Sequence, residues 1–167
     1  MKQLWAPWRM AYIEEDKTAG CIFCDKPKEK DPRAALVLAQ TDHSIVMLNK
    51  YPYNNGHLLI APKRHESRVT GLPDTEYRDV CDALKLSLDV LTRALRPGGF
   101  NIGMNLGRTA GAGVEEHFHW HIVPRWEGDT NFMPVVGETR VIPQHLLDNY
   151  DKLSPLFRET VAPSAHA

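Results

Sequence analysis

The chain has 167 residues, 43% hydrophobic and 25% charged, with Lys plus Arg at 20 against 21 for Asp plus Glu. A chain of this length buries roughly 70% of the surface its unfolded form exposes, so it needs no disulfide staples and reads as one domain. A formal net charge of -1 argues against a nucleic-acid-coating module with its basic stripe, whereas a small phosphorylated ligand needs only a local anion site. In chain order, residues 34–39 and 44–49 are short apolar runs separated by Thr41-Asp42-His43. The turn-rich stretch 50–56 leads into the apolar run 57–61, which Pro62 halts; together these predict three strands of an antiparallel meander. Tyr77, Val80, Cys81, Leu84, Leu88, Leu91 and Leu95 then recur at three- and four-residue steps. They predict one long helix with Cys81 on its core-facing stripe, capped by Asp74 or Thr75 and ended by Pro97-Gly98-Gly99. Alternation resumes over 100–105, and a glycine-containing loop, 106–114, delivers the chain to His117. Residues 143–157 predict a second, shorter helix with Leu146, Leu147, Tyr150 and Leu153 inward. The sum is an α+β domain over 1–160 with one main antiparallel sheet, and 161–167 as a flexible tail.

The most informative stretch is His117-Phe118-His119-Trp120-His121-Ile122-Val123-Pro124-Arg125. Side chains alternate across a strand, so the three histidines share one face, with like-facing neighbours ~6.5–7 Å apart. Three imidazoles in a row are costly to bury without partners, and clustered titratable groups mark functional sites. Two chemistries suit them. Neutral imidazoles can grip zinc and leave a coordination position for water. Alternatively, an imidazole whose proton is held on one ring nitrogen can attack phosphorus with the other, while its neighbours stabilise the developing charge.

Cys21-x-x-Cys24 is a modest signal. A redox pair follows a strand and opens a helix, and the preceding Lys17-Thr18-Ala19-Gly20 offers no strand. A zinc knuckle requires two further ligands; among the eight histidines, His65 sits in a rigid position after Pro62-Lys63-Arg64, whereas His43, His145 and His166 read as surface residues. Two reduced thiols packed as small hydrophobes are the remaining option. Three cysteines make no disulfide framework, no apolar run reaches the ~20 residues of a membrane span, and the first nine residues lack a secretory signal's apolar centre. A cytoplasmic protein with neither membrane nor nucleic-acid partner is expected. Trp5 and Trp8, bracketing Pro7, are expected to pin the N-terminal arm.

The run His-Phe-His-Trp-His-Ile-Val resembles the signature of the histidine triad (HIT) superfamily, and other blocks stand in family order. These are Val46-Met47-Leu48-Asn49 and Asn55-Gly56-His57-Leu58-Leu59-Ile60-Ala61-Pro62. Leu4-Trp5-Ala6-Pro7-Trp8-Arg9, Cys21-Ile22-Phe23-Cys24 and the stretch opening at Arg125-Trp126-Glu127-Gly128-Asp129 look like the branch of diadenosine tetraphosphate phosphorylases and dinucleoside polyphosphate hydrolases. The resemblance implies a HIT-like fold, a nucleotide substrate and a covalent nucleotidyl-histidine on His119. It implies His121 beside the phosphate and leaving group, His57 as an outlying fourth histidine, and Asn49 at the ribose. Asn105, Gly107, Gly111 and Gly113 match the phosphate-binding loop, where backbone N–H groups around glycines make an anion-binding concavity. Stretch 111–116 carries no hydroxyl or amide where the family loop usually has Gln, Ser or Thr. Zinc-containing members imply a closed, structural site of Cys21, Cys24, His65 and His117, and family members commonly form homodimers. Nucleoside phosphoramidase activity, a zinc hydrolase with the three histidines as ligands, and a non-catalytic nucleotide-binding protein are the alternative readings.

Overall fold

A computed structural model describes residues 20–129 and 145–161. The elements, in order, are α1 (Ile22–Asp25), β1 (Val37–Gln40), β2 (Ser44–Leu48), β3 (Leu58–Pro62), α2 (Asp74–Leu95), β4 (Gly99–Met104), β5 (Trp120–Arg125) and α3 (Leu146–Val161). The strands form one antiparallel sheet in the order β1-β2-β3-β5-β4. The chain thus crosses to the far edge through α2 and returns to insert β5 between β3 and β4. Period-two alternation sends Val46, Leu48, Leu58, Ile60 and Ile122 under α2 and α3. The odd partners Val37, Ile45, Met47, Leu59 and Ala61 turn to the opposite face, where Phe23 covers them. Leu59 pairs with His121 across the β3–β5 ladder, so the histidines share this second face.

Local chemistry moves several predicted boundaries. Residues 34–36 do not join β1: Asp31 Oδ1 accepts the Arg33 and Ala34 amides, and the resulting turn places Leu36 at φ 62 before the strand begins. Neither Asp74 nor Thr75 caps α2; Pro73 occupies the cap position without a side-chain bond, and Arg96 in the left-handed conformation ends the helix. Cys81 is half-buried on the helix flank rather than in the core. The stripe that reaches the sheet is Val80, Ala83, Ser87, Val90 and Leu91, where small side chains permit close approach and Ser87 satisfies its hydroxyl on the Ala83 carbonyl at 2.7 Å. α3 starts later than predicted and continues past Phe157, taking in Val161 from the expected tail. Its last turn carries Arg158, Glu159 and Thr160 outward, so hydrophobic periodicity gives no sign of it. Tyr150 ties α3 to the sheet through its hydroxyl on the Val37 carbonyl at 3.0 Å.

The β2–β3 connection closes against α2 at Gly56, whose φ is +68. A Cβ there would collide with Leu95 Cδ1 and lie 3.2 Å from Leu91 Cδ2. Gly56→Ala therefore combines left-handed strain with an apolar clash, and a loss of about 2–4 kcal/mol is expected in urea unfolding. An unchanged midpoint would mean that the turn relaxes freely.

Candidate functional site

α1 is a single tight turn in which the Cys24 and Asp25 amides both donate to the Cys21 carbonyl at 2.9 Å. It brings the two thiols together and turns Phe23 inward, with ring centroids 5.1 Å from His117 and 4.8 Å from His119. His65 arrives from the segment after β3. The Cys21 sulfur lies 3.3 Å from His117 Nδ1, and the Cys24 sulfur lies 3.3 Å from His65 Nδ1 and 3.6 Å from His117 Nδ1. All four donor atoms fall within 4.8 Å of one another. Tetrahedral zinc with Zn–S near 2.3 Å and Zn–N near 2.0–2.1 Å separates S from N by ~3.5 Å, so the set fits that ion. Burial and the adjacent Cys21 sulfur push the Cys24 thiol up to about 11, a protonation state that a cation at this point reverses.

Hydrogen bonds assign a proton to each histidine of the row. His117, fully buried, donates from Nε2 to the Pro62 carbonyl at 2.8 Å, which leaves Nδ1 as the lone pair facing the sulfurs. His119, 4% exposed, donates from Nδ1 to the His117 carbonyl at 3.0 Å, which leaves Nε2 as its lone pair. His57, also fully buried, accepts the Tyr53 backbone N–H at Nδ1 (3.0 Å) and the Asn49 carboxamide at 3.3 Å. A neutral imidazole accepting at Nδ1 carries its proton on Nε2. That proton points to His121 Nδ1 at 2.9 Å, so His121 bears its own proton on Nε2. Burial, with a smaller repulsion from His119, holds His121 down to about 4. Burial likewise brings His117 to about 4 and lowers His119 from the ordinary 6.5. All three rings of the row are neutral at pH 7.

The ladder of β5 begins only at Trp120, because the Phe118 N–H goes to the Glu66 carbonyl at 2.9 Å instead of a strand partner. His117 and His119 precede the regular strand yet keep its facing, with the His119 and His121 rings 4.9 Å apart. The three imidazoles do not converge on one ion: their Nδ1 atoms point respectively to the cysteines, a carbonyl and His57. Among the described residues, Cys21, Cys24, His65 and His117 are the one donor group close enough to hold a metal.

The structure brings Asn49 to His57, with its Oδ1 taken by the Tyr51 amide at 2.9 Å. Asn105 reaches only the Gly111 carbonyl, at 3.5 Å. Gly107 and Gly111 adopt φ +79 and +86, whereas Gly113 has no such requirement. Three amides of the loop, those of Ala110, Gly111 and Ala112, are spent on the carbonyls of Gly107 and Arg108, so part of the expected anion cradle is engaged internally. Arg108 is exposed and sits 3.9 Å from Glu115. His43 and His145 are exposed as expected, and His145 Nδ1 accepts the Leu147 amide at the start of α3. Trp5, Trp8, His166 and the stretch after Asp129 lie outside the described residues. Phe23 and Tyr53 are the neighbours that sequence reading missed; neither carries a titratable pattern, and only tertiary contact reveals them.

A HIT domain matches residues 31–128, and the chain belongs to the HIT family. It is an enzyme of that family, in its nucleotide hydrolase and transferase class. Among its relatives is an AP-4-A phosphorylase of Mycobacterium tuberculosis, 38% identical over 157 residues, which span 89% of this chain and 80% of that protein. An adenosine 5′-monophosphoramidase of Schizosaccharomyces pombe is 34% identical over 106 residues, 64% of this chain and 74% of that one. The fold is shared with a histidine triad nucleotide-binding protein of Sulfolobus tokodaii (TM-score 0.63, 26% identity, 84% of this chain and 91% of that one). It is shared also with a Zn-bound histidine triad family protein of Mycobacterium smegmatis (TM-score 0.64, 22% identity, 84% and 95%).

Proposed function

We propose that the protein cleaves dinucleoside polyphosphates of the diadenosine tetraphosphate type through a nucleotidyl group carried covalently on His119. The observation that carries this reading is the His119 Nδ1–H bond to the His117 carbonyl, which leaves a neutral, buried Nε2 lone pair as nucleophile. As Nε2 bonds to the α-phosphorus, the P–O bond to the departing chain breaks and its electron pair leaves with oxygen. The ring becomes cationic, and the Nδ1–H···O=C bond strengthens to meet that charge. His121 presents Nε2–H to the departing oxygen, and His57 fixes that tautomer from behind. Asn49 sits on the ribose side; Asn105, Gly107, Gly111 and Gly113 frame the phosphates with the backbone donors that remain. Phosphate or water then cleaves the P–N bond.

The similarity to the AP-4-A phosphorylase over most of both chains supports this substrate class. The phosphoramidase relative fits the same attack with an amine in place of the departing oxygen. Cys21, Cys24, His65 and His117 would hold zinc, which, with all four positions filled by protein, supplies structure and no reaction chemistry. These ligands join the arm before β1 to the catalytic strand, as parts of a single domain over 1–160. Among the described residues β4 is an edge strand, and with Ile102 43% exposed it suits pairing with a second copy as a homodimer. Three unpaired cysteines suit a reducing, cytoplasmic setting. Among the described residues no helix is long and apolar enough to cross a membrane.

Rapid mixing with diadenosine tetraphosphate, acid or base quench and mass spectrometry test the proposal. An adenylyl group on His119 is expected, with ADP formed when phosphate is the acceptor and AMP when water is. Consumption of substrate with no adduct at any time point would overturn it.

A further inference from the structure

Tyr53 lies in the β2–β3 connection, outside every motif that points to the histidines. Two separate contacts tie it to the leaving-group side of the site. Its backbone N–H occupies His57 Nδ1 at 3.0 Å, and this bond sets the direction of the His57–His121 hydrogen bond. Its ring lies almost parallel to the His121 imidazole, with an interplanar angle of 12° and centroids 5.8 Å apart, and 4.6 Å from His57. That is the offset geometry aromatic rings prefer. Tyr53 as a residue is 36% exposed, so it borders the site and contributes little to the core. Among the described residues His121 makes no hydrogen bond to a carbonyl or carboxylate that would fix its plane; His57 behind and Tyr53 beside it do so.

We propose that Tyr53 is a positioning residue for the bond from His121 to the departing atom: its ring fixes the imidazole plane, and its amide keeps Nε2–H turned outward. The inference deepens the proposed function and rests on it. In the first step the His119 Nε2–P bond forms and the P–O bond breaks, and the oxygen departs as an anion with its electron pair. His121 keeps its proton and donates a hydrogen bond to that oxygen. The more basic the departing oxygen, the more charge it gathers in the transition state and the more it depends on a correctly aimed donor.

The test uses adenosine 5′-monophosphate aryl esters whose leaving groups run from nitrophenol to unsubstituted phenol. Tyr53→Leu is expected to stay within about 3-fold of the wild type on the nitrophenyl ester and to fall about 30-fold on the phenyl ester, so that the rate falls more steeply with leaving-group basicity. Tyr53→Phe keeps the wild-type slope, since the ring and the amide are what matter. In a His121→Gln background, Tyr53→Leu is expected to add no further loss on the phenyl ester. An equal loss across the series, no loss at all, or a full additional loss in the His121→Gln background would each overturn the role. A wild-type enzyme that cleaves none of the esters and forms no His119 adduct would instead overturn the proposed function.

Discussion

Replacing His119 by Asn is expected to lower turnover by at least about 10⁴-fold while nucleotide affinity changes only a few-fold. The carboxamide can still donate to the His117 carbonyl, the bond His119 makes at 3.0 Å, but it offers no ring nitrogen to phosphorus. Single-turnover kinetics with labelled diadenosine tetraphosphate, beside equilibrium binding of a non-hydrolysable analogue, separate the two effects. The proposed nucleophile also predicts the acid limb of the rate. Burial lowers the His119 pKa below 6.5, so the neutral form persists as the pH falls through 6.5, and kcat/KM declines only at lower pH. A limb centred above 6.5, or a His119→Asn variant that turns over normally, contradicts a buried neutral imidazole as the attacking group.

Loss of the proposed zinc cluster is the second large effect expected. The purified protein is expected to hold zinc, and Cys24→Ser or chelation to remove it, lowering Tm by roughly 10 °C, as a site worth several kcal/mol would in a domain of this size. The apo protein should also lose activity by about 10- to 100-fold, because Phe23 and the His117 carbonyl, both adjoining the Cys/His cluster, frame His119, the proposed nucleophile. Metal content by mass spectrometry and thermal unfolding provide the readouts. His119→Asn should keep its full complement of zinc. If that variant loses the ion while Cys24→Ser retains it, the metal belongs to the histidine row; if neither the metal nor the Tm change appears, the cluster is no metal site.

The sheet was legible because β2 and β3 are apolar runs bounded by turn residues, and α2 because its apolar residues from Tyr77 to Leu95 keep helical spacing over about five turns. Errors arose where a local hydrogen bond overrode the hydrophobic pattern. Asp31 accepts two amides and converts residues 34–36 from strand to turn; the Phe118 amide leaves the ladder for Glu66; small Ala83 and Ser87, and not the neighbouring Cys81, face the sheet. Periodicity counts apolar side chains and is blind to each of these.

The chain's own order of residues determined that three imidazoles face one way, since alternation along an extended backbone requires it, and that a long amphipathic helix backs the sheet. It also supplied two thiols at a spacing that one tight turn brings together. Which nitrogen of each ring holds the proton was decided only by the fold. The acceptors concerned, the carbonyls of Pro62 and His117, and the donor, the Tyr53 amide, are backbone groups present at nearly every position and therefore carry no sequence signal. Their selection depends on where β3, β5 and the β2–β3 turn come to rest against one another, and that placement gives the three histidines different partners: the cysteine sulfurs for His117, a backbone carbonyl for His119 and His57 for His121.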